Sequence, residues 1–191
     1  MSECVFVTYK CVGSDLKDLF KFYEAIWSND EDRTRPHDVY KCEIDIAPIV
    51  ASLGFDLEKY DFHGLVISYR LEGKTLVIDY ITGYSEQKDF RKCIEARFPS
   101  IKVYYKFDND HSPDYYTNDS SGDYFPTYYL ESYGNTMYFK TIGEVAVYVS
   151  SLVGTNVAPS AEVISNALDE YYQGYYGDDR YSLKEYEVRD D

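Results

Sequence analysis

Leu65-Val-Ile-Ser-Tyr-Arg-Leu-Glu-Gly-Lys-Thr-Leu-Val-Ile-Asp-Tyr-Ile-Thr82 decides the fold. Its flanks, 65–71 and 75–82, are rich in β-branched and aromatic residues. Glu72-Gly73-Lys74 between them supplies the glycine that a tight connection needs, so the stretch reads as a β-hairpin. Downstream, Ser85 stands where a side-chain oxygen can cap a helix, and Phe90, Cys93, Ile94 and Phe98 recur at helical spacing. Pro99 stops that helix, and Ile101–Phe107 reads as another strand. Upstream, Glu3–Val12 is a strand, Gly13 ends it, and Ser14 is positioned to cap a helix over 15–28 with Leu16, Leu19, Phe20, Tyr23, Ile26 and Trp27 on its apolar side.

Residues 29–63 interrupt this series as an insert. They read as a polar loop (Asn29–Asp38), a short strand (Val39–Ile44) and a short helix (Ile46–Leu53) that tolerates Pro48 in its first turn and ends at Gly54. With the insert set aside, the order is strand, helix, strand, strand, helix, strand, which is the ferredoxin-like order. The expected architecture is α+β. One antiparallel sheet of Val5–Val12, Leu65–Leu71, Thr75–Thr82 and Ile101–Phe107 carries two helices on one face, burying Leu19, Phe20, Phe90 and Ile94. Residues 1–107 form this core, and 108–191 form an acidic, tyrosine-rich extension packed on it.

In that extension Thr127–Glu131 and Thr136–Lys140 read as a second hairpin around Gly134-Asn135. Thr141 and Glu144 form a capping box for a helix through Leu152. Ser160 caps a last helix with Val163, Ile164, Ala167, Leu168 and Tyr171 on one stripe, and Tyr181–Val188 reads as an edge strand.

Two stretches also carry a family resemblance. One is Cys4-Val-Phe-Val-Thr-Tyr-Lys-Cys-Val-Gly13 with the following Leu19, Phe20 and Phe22. The other is Leu76-Val-Ile-Asp-Tyr-Ile-Thr82, then the helix from Ser85 and Phe98-Pro99-Ser100-Ile101. In these the chain resembles the YubB-type ferredoxin-like proteins carried by plasmids and phages. The resemblance implies a fold and a mobile-element setting, and no reaction.

Charge narrows the function. The 191 residues hold 19 basic and 34 acidic groups, a net of −15, which opposes binding to free nucleic acid or an anionic membrane. Residues 64–107 are mildly basic at +3, whereas 108–191 carry 16 acids and 4 bases. No apolar run approaches the roughly 18 residues that span a bilayer, and the N-terminus lacks a basic and an apolar region. The expected location is the cytoplasm of a bacterial host. Cys4, Cys11, Cys42 and Cys93 have no metal or disulfide spacing and read as reduced thiols. Tyrosine, at 23 residues, suits sheet faces and interfaces, although an AT-rich genome would raise it too.

Chemical motifs are excluded one by one. His37, His63 and His111 lack ligand neighbours. The loop from Asp108 to Asp114 misses the glycine and glutamate of an EF-hand, so its acids read as turn formers. Ser14-Asp-Leu-Lys17 and Ser85-Glu-Gln-Lys88 match Ser-x-x-Lys in letters, but both serines read as helix caps. No P-loop, Gly-x-Gly-x-x-Gly or Gly-x-Ser-x-Gly occurs. No cofactor, metal site or catalytic residue is therefore expected.

Three functions compete. In the first, a phage or other mobile element encodes a binding protein that inhibits a host nucleic-acid-processing defence protein, of the anti-CRISPR or antirestriction type. Its carboxylates would stand in for phosphates in a basic cleft. The candidate contacts are Asp108, Asp110, Asp114, Asp119, Asp123, Asp169, Glu170, Asp178, Asp179, Glu185 and Glu187, with Tyr172 and Tyr175 as anchors. The second is a non-catalytic accessory protein of a mobile element without mimicry. The third is an enzyme with a diffuse carboxylate site. A single-stranded nucleic-acid binder would instead use Arg70, Lys74, Lys88, Arg91, Lys92, Arg97, Lys102 and Lys106 among the tyrosines of 64–107. The bland reading of those bases is a solvated helix face (Lys88, Arg91, Lys92) plus edge-strand charges.

Overall fold

The computed structural model describes residues 5–28, 44–59, 62–83, 85–109, 115–132, 135–173 and 181–189. They form an α+β protein whose larger sheet is antiparallel in every pairing described below, and the chain divides into two units, Met1–Asn118 and Asp119–Asp191. The first contains β1 (Val5–Val12), α1 (Leu16–Ser28), β2 (Ile44–Asp45), α2 (Ile46–Ser52), β3 (Leu65–Glu72), β4 (Thr75–Thr82), α3 (Lys88–Arg97), β5 (Lys102–Asp108) and β6 (Tyr115–Thr117). The second contains β7 (Tyr128–Ser132), β8 (Asn135–Phe139), α4 (Ile142–Val153), α5 (Ala161–Tyr171), β9 (Tyr181–Glu185) and β10 (Glu187–Val188).

Strands of the first unit lie in the order β6-β5-β1-β4-β3-β2. β1 is central, with Tyr9 opposite Ile78 of β4 and Tyr105 of β5. Its alternation is strict: Val5, Val7, Tyr9 and Cys11 are buried, and Phe6 is exposed. The buried set joins Leu19 and Tyr23 of α1, Ile46, Ile49 and Val50 of α2, and Phe90 and Ile94 of α3 in one cluster. Phe20, expected inside, packs only partly buried at its margin. The β3–β4 hairpin turns through Gly73 at φ 61°, the left-handed region that glycine enters without strain. The chain enters α1 through Gly13 (φ 151°), where a Cβ would lie 2.1 Å from the Ser100 carbonyl oxygen, so a side chain there must displace backbone.

That close approach changes the start of α1. The Asp18 and Leu19 amides donate to the Asp15 carbonyl. Asp15 and Ser100 clasp each other: the Asp15 amide donates to Ser100 Oγ at 2.8 Å, and the Ser100 amide to Asp15 Oδ2 at 3.3 Å. Asp15, and not Ser14, therefore opens the helix. Ser85 is corrected in the same way. α3 begins at Lys88 and is preceded by Gln87 at φ 54°, the one non-glycine with positive φ among the described residues. Two tyrosine hydroxyls bond to this turn, as described below, and Ser85 Oγ accepts from Gln87, at its backbone amide (3.4 Å) and side chain (3.3 Å), ahead of the first helical residue. β6 was not anticipated. It pairs with β5 through Lys106–Thr117 and Asp108–Tyr115, so residues 115–117 belong to the first unit.

In the second unit the strand order is β8-β7-β9, antiparallel throughout. Leu130 of β7, Val145, Ala146 and Val149 of α4, and Ile164, Leu168 and Tyr172 from α5 and its end make a separate core. Thr141 Oγ1 accepts from the Glu144 amide at 3.2 Å, the forward half of a capping box. Glu144 answers by accepting from the Lys140 amide at 2.7 Å, one residue before the expected position. Gly154 (φ 76°) closes α4 by donating to the Ser150 carbonyl. Val163 and Tyr171, expected on the inner stripe of α5, are exposed, and Ser160 precedes that helix without a side-chain cap bond.

Candidate partner-binding surface

Acidic groups of the second unit face a shortage of cations, and each finds a different solution. The unit holds 13 carboxylic side chains against 4 basic ones, a net of −9. Asp119 is fully buried and uses backbone donors: the Tyr124 amide at 2.7 Å, Phe125 at 2.9 Å and Ser121 at 3.2 Å, with the Ser121 hydroxyl at 2.6 Å. Burial pushes its pKa up, but those bonds to the ionised form together outweigh it and hold the carboxyl below its ordinary value. Asp119 therefore ties a loop together and is not a surface contact. Asp123 is exposed and accepts from Lys140 Nζ at 2.8 Å, and that cation keeps its pKa low. Glu185 accepts from the Tyr128 hydroxyl at 2.7 Å, and burial followed by that bond pushes Tyr128 up to about 12. Glu187 pairs with Arg189 at 2.6 Å on the surface.

An exposed acidic stripe lies on α5, where Asp169 also accepts from the Tyr181 hydroxyl. Asp169 and Glu170 follow Glu162 by seven and eight residues, about two helical turns, so all three carboxylates stand on one side. The helix has no basic residue. Tyr172, expected as an anchor for a partner, is instead buried in the core of its own unit, with its hydroxyl 2.7 Å from Ser132 Oγ. Asp108 belongs to the first unit and pairs with Lys106 at 2.6 Å. Asp110, Asp114, Tyr175, Asp178 and Asp179 lie outside the described residues. The expected residues therefore converge only in part, on Asp169 and Glu170. Sequence reading passed over Glu162 although helical spacing links it to both.

In the basic stretch of the first unit Arg70, Arg91 and Lys106 are paired internally, whereas Lys74, Lys88, Lys92, Arg97 and Lys102 are exposed. Arg91 is 1% exposed, which corrects its reading as part of a solvated helix face. Its Nη2 lies 3.1 Å from Glu86 Oε1, and its guanidinium stands 5.2 Å from the Tyr105 ring centroid. The Tyr9 hydroxyl donates to the Glu86 carbonyl at 2.6 Å, and the Tyr80 hydroxyl donates to the same oxygen. Burial raises both phenols well above their ordinary pKa. The Gln87 amide group joins in, accepting from the His63 backbone N–H and donating to Thr82 Oγ1. Arg70 is held by Asp79 and Glu72, and Asp79 accepts also from Thr8 and Ser68. This network was missed, yet it had a signal: Tyr9 falls on the inward side of a strand among Val7 and Cys11, where a hydroxyl must find a partner.

No group of His, Cys, Asp and Glu that could hold a metal ion occurs among the described residues, and no helix there is long and apolar enough to cross a membrane. No protein-family model matches the chain, and no curated protein does. Among solved structures, a protein of Galdieria sulphuraria described as unknown aligns over 96% of this chain and 99% of its own, at 13% identity and a TM-score of 0.25. That overlap is too slight to carry an argument.

Proposed function

We propose that this chain is a non-catalytic binding protein whose acidic second unit enters the basic cleft of a nucleic-acid-processing protein. In this reading a phage or other mobile element encodes it as an inhibitor of a host defence protein of the CRISPR-effector or restriction type, acting in the bacterial cytoplasm. The observation that carries the reading is the stripe of Glu162, Asp169 and Glu170 on a helix without a single basic residue, in a unit of net −9. Carboxylates left facing water attract a cationic cleft by the same long-range field that draws phosphates to it. The internal pairing of Arg70, Arg91 and Lys106 weakens the rival in which the first unit binds single-stranded nucleic acid, leaving it the exposed Lys74, Lys88, Lys92, Arg97 and Lys102. The mobile-element setting rests on the family resemblance. As part of the same reading, the first unit is a ferredoxin-like fold, supported by the antiparallel strand order β5-β1-β4-β3 and the shared core of α1 and α3.

The test is affinity capture from bacterial lysate with the full chain and with a variant carrying Glu162→Lys, Asp169→Lys and Glu170→Lys. A nucleic-acid-binding partner that double-stranded DNA displaces, that salt releases and that the variant fails to hold supports mimicry. A partner indifferent to DNA, salt and the three reversals overturns it.

A further inference from the structure

The two edges of the second sheet are built differently. β9 includes Lys184 and Glu185, charges of the kind that discourage a further strand from pairing. β8, Asn135-Thr-Met-Tyr-Phe139, has no charge and no proline, and it keeps an unbroken register with β7 over five pairs. Among the described residues no strand covers its outer edge. Tyr138 on it is 57% exposed.

Tyr138 meets Tyr129 on one face of the sheet, and Met137 and Phe139 pack toward α4 on the other. α4 has one charged residue, Glu144, whose carboxylate is engaged by the Lys140 amide. Val147 projects from it at 73% exposure. An open groove of about 740 Å³ runs beside it, lined by Phe139, Thr141, Gly143, Glu144, Val147 and Tyr148. A helix apolar almost all round is ordinarily covered. From Ser132 to Ala161 only Lys140 and Glu144 are charged, in a chain where 28% of residues are.

We propose that the chain forms a two-fold dimer by antiparallel pairing of β8 with the same strand of a second copy, the two α4 helices meeting through Val147 over the groove. This goes beyond the proposed function and does not rest on it. The charge pattern selects the occupant. A cationic partner would find one carboxylate here, already engaged, whereas α5 exposes three with no base on the helix. A copy of this chain meets the surface without opposing like charges, which the rest of a −15 molecule could not offer. Pairing centred on Met137 sets Thr136 opposite Tyr138 across the two-fold axis, a β-branched and aromatic pair that suits a sheet.

Sedimentation velocity of the full chain over a range of concentrations tests this. The expected species is twice the 22.3 kDa chain mass, reverting to 22.3 kDa on dilution. Because the copies repel through their remaining charge, raising salt from about 0.1 M to about 1 M, which shortens the screening length from about 10 Å to about 3 Å, tightens the dimer. The acidic-cleft complex responds to salt with the opposite sign, so the two ideas fail separately. Thr136→Lys and Val147→Glu, both at exposed positions, each weaken the dimer by about tenfold or more, with thermal midpoints kept as the control for folding. A 22.3 kDa species at every concentration, or a dimer that survives both substitutions in folded protein, overturns the proposal.

Discussion

The first unit couples charged side chains to each other in its interior, whereas the second has cations for only a few of its acids, at Asp123–Lys140 and Glu187–Arg189 on the surface. With 21 acids and 15 bases, the first unit can match carboxylate with guanidinium or ammonium, and it does so at Glu86–Arg91, Asp79–Arg70 and Asp108–Lys106. With 13 acids and 4 bases, the second satisfies Asp119 and Glu144 with backbone N–H groups and leaves the α5 carboxylates exposed without a base on their helix. The contrast separates charge that holds structure from charge that is free to act on a partner. It places the structural charge mainly in the first unit and the available charge in the second.

The largest effect expected from that contrast is at Glu86. Glu86→Ala leaves the buried Arg91 guanidinium with only the more distant Glu95, 3.9 Å away, and breaking a buried pair on one side costs about 3–5 kcal/mol. Chemical denaturation of the full chain should show a loss of that size, comparable to Phe90→Ala, which removes a wholly buried ring. A midpoint shift below about 1 kcal/mol would mean that the Glu86–Arg91 pair is dispensable, and the division between the units would blur.

How the sequence announced these features follows the reach of each interaction. The 65–82 hairpin was legible because alternation and Gly73 are local. So was the Thr141–Glu144 cap, whose partners are three residues apart. Arg91 was not legible: beside Lys88 and Lys92 it looks like a surface cation, and its burial depends on Tyr9, 77 residues from Glu86 in the chain. Asp119 shares its composition with every other acid of its loop. Only the path of the backbone to Phe125 turns three amides toward it. Tyr172 was mistaken for an anchor because composition cannot tell a tyrosine facing its own core from one facing a partner.

Asp119 gives the next effect and fixes its pH dependence. Asp119→Ala strips the acceptor from three backbone amides and should cost about 1–3 kcal/mol. The folded carboxyl titrates below the unfolded one, whose value is about 3.9. Its contribution is therefore complete above that value and declines as pH falls through the lowered folded value. Urea titrations at several pH values below about 5 should show a steeper acid loss for the native chain than for Asp119→Asn. Parallel curves would remove Asp119 as the keystone of its loop. Tyr172→Phe, which loses the bond to Ser132, should cost about 0.5–1.5 kcal/mol and leave binding to any partner unchanged. A binding defect in folded Tyr172→Phe would restore it as an anchor.

The smallest effect on stability is expected where the effect on association is greatest. Glu162, Asp169 and Glu170 are exposed on α5, where a surface change costs about 0.5 kcal/mol and reversing Glu162 in the first helical turn about 0.3–1 kcal/mol. Replacing all three with lysine therefore lowers the unfolding midpoint slightly and leaves the chain folded. Their field, however, reaches a partner before contact. Reversing it should slow association with a basic protein more than it speeds dissociation, as steering charges do. The slowing should fade as salt shortens the screening length below about 10 Å. Stopped-flow association at several salt concentrations separates the two limbs. If the triple variant associates at the native rate, the carboxylates only keep the molecule hydrated. If it unfolds instead, Glu162, Asp169 and Glu170 hold structure after all, and the division of labour between the two units is lost.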